Sequence, residues 1–195
     1  MGQQAKPGDK SQSRGKRSTL NAIQLLTNDH KKVSEIFEQY EKTKDKASDE
    51  EKRSLVQQAC NELTVHAQIE EEIFYPALRA IQDAKDLLDE AKVEHTSIKK
   101  LMSELEFMTP DDELYDAKFT VLAEYVTHHV KEEQGEVFPK AKKSGMDLDQ
   151  LGEKLAKRKQ ELATQYGIET QEQDAPHTSR AKRSPNTSAA PKSAQ

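Results

Sequence analysis

Residues 66–76 read HAQIEEEIFYP, and sixty-three positions on residues 129–139 read HVKEEQGEVFP. This repeat constrains the fold more than any other feature, because two copies of one segment must be packed in equivalent ways around something shared. His66 aligns with His129, Glu70 with Glu133, and Phe74-Tyr75-Pro76 with Val137-Phe138-Pro139. In each copy a histidine and a carboxylate stand four apart, so on a helix both leave the same face about one turn from each other. A single HxxxE is a weak signal in an acidic helix, whereas a duplicated one has the spacing of a ligand pair.

A second pair of histidines follows the same rhythm. Asp29-His30-Lys31-Lys32-Val33 and Glu94-His95-Thr96-Ser97-Ile98 share an acid-His-x-x-(Val/Ile) pattern at an offset of sixty-five. The chain thus reads as a duplicated unit, a helix with one His followed by a helix with HxxxE.

Three-four periodicity supports a helix for each segment. The first, over residues 19–42, carries Ile23, Leu26, His30, Val33, Phe37 and Tyr40 on one stripe. Ser48-Asp-Glu-Glu51 has the form of a capping box and opens the second, which runs to about residue 79 with Ala59, Leu63, His66, Glu70 and Ala77 inward and Pro76 bending its last turn. The third, over residues 83–107, aligns Leu88, Ala91, His95, Ile98, Met102 and Leu105. Thr109-Pro110-Asp111-Asp112 reads as the start of the fourth, with Leu114, Leu122, Val126, His129, Glu133 and Val137 inward. Leu148, Leu151, Leu155 and Leu162 stripe a further helix ending near Tyr166. Short connections favour an all-α, antiparallel up-down four-helix bundle over residues 19–142, with the additional C-terminal helix of residues 143–167 packed outside it. Residues 1–18 and 168–195, rich in Ser, Gln, Lys and Pro, read as disordered tails.

Charge is distributed to match a cation-binding core. The net charge is −5; residues 1–20 carry +4 and residues 170–195 carry +2, which leaves −11 for the middle. An acidic centre argues against a nucleic-acid partner for the bundle. The single cysteine, Cys60, excludes an internal disulfide and fits a reducing compartment. No apolar run has the length of a membrane span or of a signal-peptide core, so a cytoplasmic chain without a membrane partner is expected.

Every helix of the bundle then contributes one inward His, and alternate helices add a Glu one turn along. Two buried carboxylates among four imidazoles are costly without a cation. Four imidazoles, two carboxylates and no thiolate suit a borderline metal, and the carboxylates allow two ions to be bridged, each with two terminal His. Zinc is compatible with the same donors.

The D-H-x-x-V, H-x3-E-E-x-x-F-Y-P, E-H-x-x-I and H-x3-E-x4-F-P segments together resemble the hemerythrin-like, HHE cation-binding family over residues 20–166. The resemblance implies a four-helix bundle with two non-haem, carboxylate-bridged iron ions, manganese and zinc ranking behind iron. Carried over by position, the metal ligands are His30, His66, Glu70, His95, His129 and Glu133. Two departures stand out. Oxygen-carrying hemerythrins have a further His where this chain has Ala91, and their last ligand pair is spaced H-x4-D, which only His128 with Glu133 would imitate. The repeat register selects His129 instead.

The expected function is a di-iron protein that binds, senses or handles oxygen, peroxide, nitric oxide or iron, as a monomer or weak dimer. Two alternatives are a di-iron enzyme such as a peroxidase, ferroxidase or iron-repair protein, using Tyr40, Tyr75 or Tyr125 as redox groups, and a metal-free helical interaction module.

Overall fold

A computed structural model of the chain describes residues 20–81 and 83–168. Both tails, apart from Ile168, lie outside that range. The described chain is all helical: α1 (Ala22–Thr43), α2 (Asp49–Ile69), α3 (Tyr75–Leu78), α4 (Lys85–Glu106), α5 (Tyr115–Glu132), α6 (Phe138–Lys143) and α7 (Leu148–Tyr166). Five-residue π-helical turns, Glu70–Phe74 and Glu133–Val137, join α2 to α3 and α5 to α6. Four long rods therefore form the bundle, α1, α2–α3, α4 and α5–α6, and α7 packs against α1 and α2.

Local chemistry sets the ends. Asn21 and Gln24 form a capping box at α1, and Ser48 and Glu51 form the one expected at α2. The Asp147 carboxylate caps α7 at its start, and Gly167 closes it in the left-handed region that glycine adopts without a Cβ penalty. Gly152 admits α7 to the bundle: a Cβ there would stand 2.4 Å from the Leu20 carbonyl oxygen and 2.8 Å from the Ala22 nitrogen.

Two expectations need correction. The fourth long helix starts at Tyr115 rather than just after Thr109. Asp112 does accept the Thr109 amide proton at 2.6 Å, but the turn is not propagated, so Leu114 is exposed and Tyr115 is buried in its place. The second helix also does not continue α-helically to residue 79. The π turn inserts one residue into the repeat, so the buried stripe passes through Phe74, Tyr75 and Leu78 while Ala77 faces solvent.

The apolar core divides into two clusters along the bundle axis. One gathers Leu26, Ile69, Phe74, Leu88, Phe138 and Leu155; the other gathers Val33, Tyr40, Leu63, Ile98, Phe119 and Leu122. On every rod the inward histidine lies between the two: His30 between Leu26 and Val33, His66 between Leu63 and Ile69, His95 between Ala91 and Ile98, His129 between Val126 and Val137. A single polar layer thus crosses the bundle at mid-height.

Candidate metal centre

All six expected ligands meet in that layer, and all are buried: His30, His66, Glu70, His95, His129 and Glu133. The π turns start at the two glutamates, with the Tyr75 amide bonding back to the Glu70 carbonyl and that of Phe138 to Glu133. Pro76 and Pro139, each two residues past the end of its π turn, lack an amide hydrogen. The repeat is thereby reproduced in backbone geometry as well as in side chains.

The imidazoles form two facing pairs. His30 Nε2 lies 3.0 Å from His66 Nε2, and His95 Nε2 lies 3.2 Å from His129 Nε2. Glu70 stands between the pairs, Oε1 at 3.2 Å from His66 Nε2 and Oε2 at 3.5 Å from His95 Nε2, while Glu133 Oε2 is 3.2 Å from His30 Nε2. The potential ligand atoms fall into two overlapping groups, His30, His66, Glu70 and Glu133 on one side, and Glu70, His95 and His129 on the other.

The far nitrogen of each ring is also held, by a residue that sequence reading assigned no role. His95 Nδ1 donates to Glu71 at 2.9 Å and His129 Nδ1 to Glu94 at 2.7 Å. His66 Nδ1 lies 3.5 Å from Asp29 Oδ2, and the Gln134 side-chain nitrogen is 3.0 Å from His30 Nδ1. A half-turn of that carboxamide presents its oxygen to the same ring nitrogen. The pattern obeys the duplication: the acid preceding each single His holds the HxxxE histidine of its own unit, and the residue following each ligand glutamate holds the single His of the other unit. A proton fixed on Nδ1 leaves the Nε2 lone pair facing inward, the usual arrangement of a metal-ligating histidine with a carboxylate behind it.

Facing Nε2 lone pairs repel unless something positive lies between them. Two nitrogens about 2.1 Å from one ion are about 3.0 Å apart at a right angle and about 3.4 Å apart at the tetrahedral angle, so the observed separations fit shared coordination. Glu70 Oε1 and both oxygens of Glu133 are buried without a hydrogen bond among the described residues, a costly state that a cation would relieve. The donor set therefore fits a metal centre.

Ionisation responds to the same crowding. Burial and repulsion by His66 lower His30 to a pKa of about 3. Burial opposes a charged His66, but Glu70 and Asp29 outweigh it and raise its pKa well above the ordinary value. Burial likewise opposes ionisation of Glu70 and is overcome by His66, His95 and His129, whereas burial plus the charge of Glu70 pushes Glu133 well up. Asp29 is lowered: its burial is outweighed by hydrogen bonding to His66 and by the charge of Lys159. Without metal, protons occupy the layer where a cation would sit.

The remaining candidates separate cleanly. The His128 side chain is 63% exposed against 4% for that of His129, and it faces Glu94 and Glu132 at the surface. Ala91 is buried among apolar side chains. Tyr40 bonds Asp116 at 2.6 Å in the far cluster and Tyr125 is exposed, which leaves Tyr75, whose hydroxyl donates to Glu70 Oε2 at 3.4 Å. A cavity of about 20 Å³ adjoins the four histidine rings and is also lined by Val33, Leu63, Ile98 and Val126. No helix among the described residues is long and apolar enough to cross a membrane.

Four imidazoles closing on two carboxylates at the middle of a helical bundle define a cation-binding bundle protein. The chain belongs to the hemerythrin HHE cation binding domain family, whose sequence pattern matches residues 21–141. Among solved structures, the fold is similar to that of a hemerythrin HHE cation binding domain-containing protein from Mycobacterium kansasii, with a TM-score of 0.64 and 25% identity over 75% of this chain and 89% of that one. Among characterised relatives, it is 27% identical over 122 residues to a protein of Nostoc sp. named DNA nickase; the match takes in 61% of this chain but only 33% of the relative.

Proposed function

We propose that the chain would hold two non-haem iron ions, one through His30, His66 and Glu133 and one through His95 and His129, with the Glu70 carboxylate within reach of both, and that it presents them to O2, H2O2 or NO. The observation that carries this reading is the pair of facing Nε2 couples sharing the Glu70 carboxylate. Mixed imidazole and carboxylate donors from facing helices are the di-iron and di-manganese arrangement of helical bundles, and the absence of thiolates removes the softer alternatives.

When bound, such a pair supplies one-electron chemistry and Lewis acidity. The protein's own residues do the rest. Val33, Leu63, Ile98 and Val126 give an apolar lining to a cavity whose volume, about 20 Å³, is enough for one water-sized molecule. Glu133, with its raised pKa, is the carboxyl that takes up a proton when positive charge in the layer is short. The burial that pushes the Cys60 thiol up to about 12 keeps it unreactive.

An enzymatic form of this reading rests on Tyr75, the one tyrosine of the three considered that reaches the centre. The nicking activity named for the Nostoc relative is not carried over, since two thirds of that protein lies outside the match. Iron, manganese and zinc should be counted in protein isolated without added metal, and the loaded chain then mixed with peroxide and with NO. Iron near two per chain and a spectral change with either molecule support the proposal; an iron-free chain from iron-replete cells, or a loaded centre inert to both, refutes it. Sustained turnover of peroxide that is lost in Tyr75→Phe selects the enzymatic form.

A further inference from the structure

The outer contacts of the two histidine couples are unequal, and the inequality leads to α7. His95 and His129 are each backed by a carboxylate at hydrogen-bonding distance, Glu71 at 2.9 Å and Glu94 at 2.7 Å. Those carboxylates are half-buried, and at the surface beside them Lys99 meets Glu71 and the exposed His128 faces Glu94. On the other side His30 is backed by the neutral Gln134, so among the described residues Asp29 is the only carboxylate partnering Nδ1 in the His30–His66 couple. Asp29 is itself buried, and Lys159 of α7 enters the bundle to place its ammonium 2.5 Å from Asp29 Oδ1. No other lysine or arginine among the described residues is buried. Lys159 lies beyond residues 21–141, the stretch that matches the family, so a helix outside that stretch reaches the ligand shell.

A charged carboxylate inside a protein needs a partner, and removing one member of such a pair leaves the other uncompensated. We propose that Lys159 is a positioning residue for the metal centre: it holds Asp29 in place as the Nδ1 partner of His66, and so secures the ion on the His30–His66 side but not the one on the His95–His129 side. This rests on the di-iron reading above. Through Asp29 the packing of α7 is coupled to one half of the centre, which makes the two halves unequal in how firmly they keep their ion. The repeat supplies the contrast: the partner of His129, Glu94, has an exposed histidine rather than a buried ammonium beside it.

The test is a cycle of full-length Lys159→Met, Asp29→Asn and the double variant, loaded anaerobically with ferrous iron and challenged with a chromogenic chelator. The melting temperature of each metal-free protein serves as the control for folding. Changes behind a ligand histidine weaken metal binding by about 10–100-fold, so Lys159→Met should release one of its two ions at least about tenfold faster than wild type while the other keeps the wild-type rate. Asp29→Asn should accelerate the same single ion, and the double variant should be no worse than Asp29→Asn. Lys159→Met releasing both ions at the wild-type rate overturns the proposal. So does equal acceleration of both ions with a lowered metal-free melting temperature, which would mean only a loosened α7, and so does an additive double variant. A wild-type chain that retains no iron refutes the di-iron reading and this inference with it, an outcome distinct from a wild type that retains two ions and a Lys159→Met that does too.

Discussion

Glu133→Gln should make the metal-free protein more stable and the metal-bound protein less so. Glu133 is 1% exposed, its oxygens have no hydrogen bond among the described residues, and its pKa is raised well above 4.5 by burial and by the charge of Glu70. The sign follows from linkage. A carboxyl whose folded pKa exceeds its unfolded one costs nothing below pH 4.5, where both states hold the proton, and costs about 1.4 kcal/mol for each pH unit above that until the folded pKa is reached. At pH 7 the span from 4.5 sets a ceiling of about 3 kcal/mol. Glutamine has the shape of the protonated acid and escapes the cost, so a gain of roughly 1–3 kcal/mol is expected, or a melting temperature higher by about 3–10 °C for a domain of this size. Urea or thermal unfolding in the presence of a chelator measures it at pH 7 and again at pH 4.5, where the difference should vanish. With iron the order should reverse, because the variant lacks one of the charged side chains that would hold the ion. A metal-free Glu133→Gln less stable than wild type at pH 7, or a gain that persists undiminished at pH 4.5, would refute the electrostatic account.

Other variants probe other parts of the account. His129→Ala should lose metal and behave like its repeat partner His66→Ala, whereas His128→Ala, at a 63% exposed position, should keep it; metal content after gel filtration distinguishes them. Iron should stabilise the fold relative to chelated protein by RT ln(1 + [L]/Kd), about 4 kcal/mol at a thousandfold excess over Kd, and so raise the melting temperature. Since the ion displaces protons from Glu133 and His66, whose pKa values are both raised, this increment should shrink as pH falls from 7 to 5. Gly152→Ala would drive a Cβ against the Leu20 carbonyl, and overpacking of that kind should cost about 1–3 kcal/mol in chemical denaturation of the metal-free chain.

The inward placement of the four histidines and two glutamates could be read from the sequence because the duplication fixes register. A stripe of apolar residues does not distinguish His128 from His129, since each has apolar residues one turn behind it, but the offset of sixty-three that links His66 to His129 also links Glu70 to Glu133. The π turns were hidden: one inserted residue is invisible in a three-four pattern, and Pro76 and Pro139 hint at a break without saying of what kind. The start of α5 was misplaced because Thr109-Pro110-Asp111-Asp112 is a sound turn signal that does not say whether the turn goes on. Asp29, Glu71, Glu94 and Gln134 stand beside ligands and look like parts of a solvated face, and their partners lie 24 to 104 residues away. The repeat held a usable clue, since Asp29 pairs with Glu94 and Glu71 with Gln134 at the same offsets as the ligands. Lys159 offered none, being one basic residue among Lys154, Lys157 and Arg158 on a highly charged helix.

Anomalous diffraction at the iron absorption edge, on crystals of protein purified without added metal, tests the central claim most directly. The account predicts two peaks in each chain, roughly 3.5–4 Å apart as in other two-metal sites, one beside the His30 and His66 rings, one beside those of His95 and His129, with Glu70 between them. A single peak, none, or a peak only at the surface group of Glu94, His128 and Glu132 would contradict it.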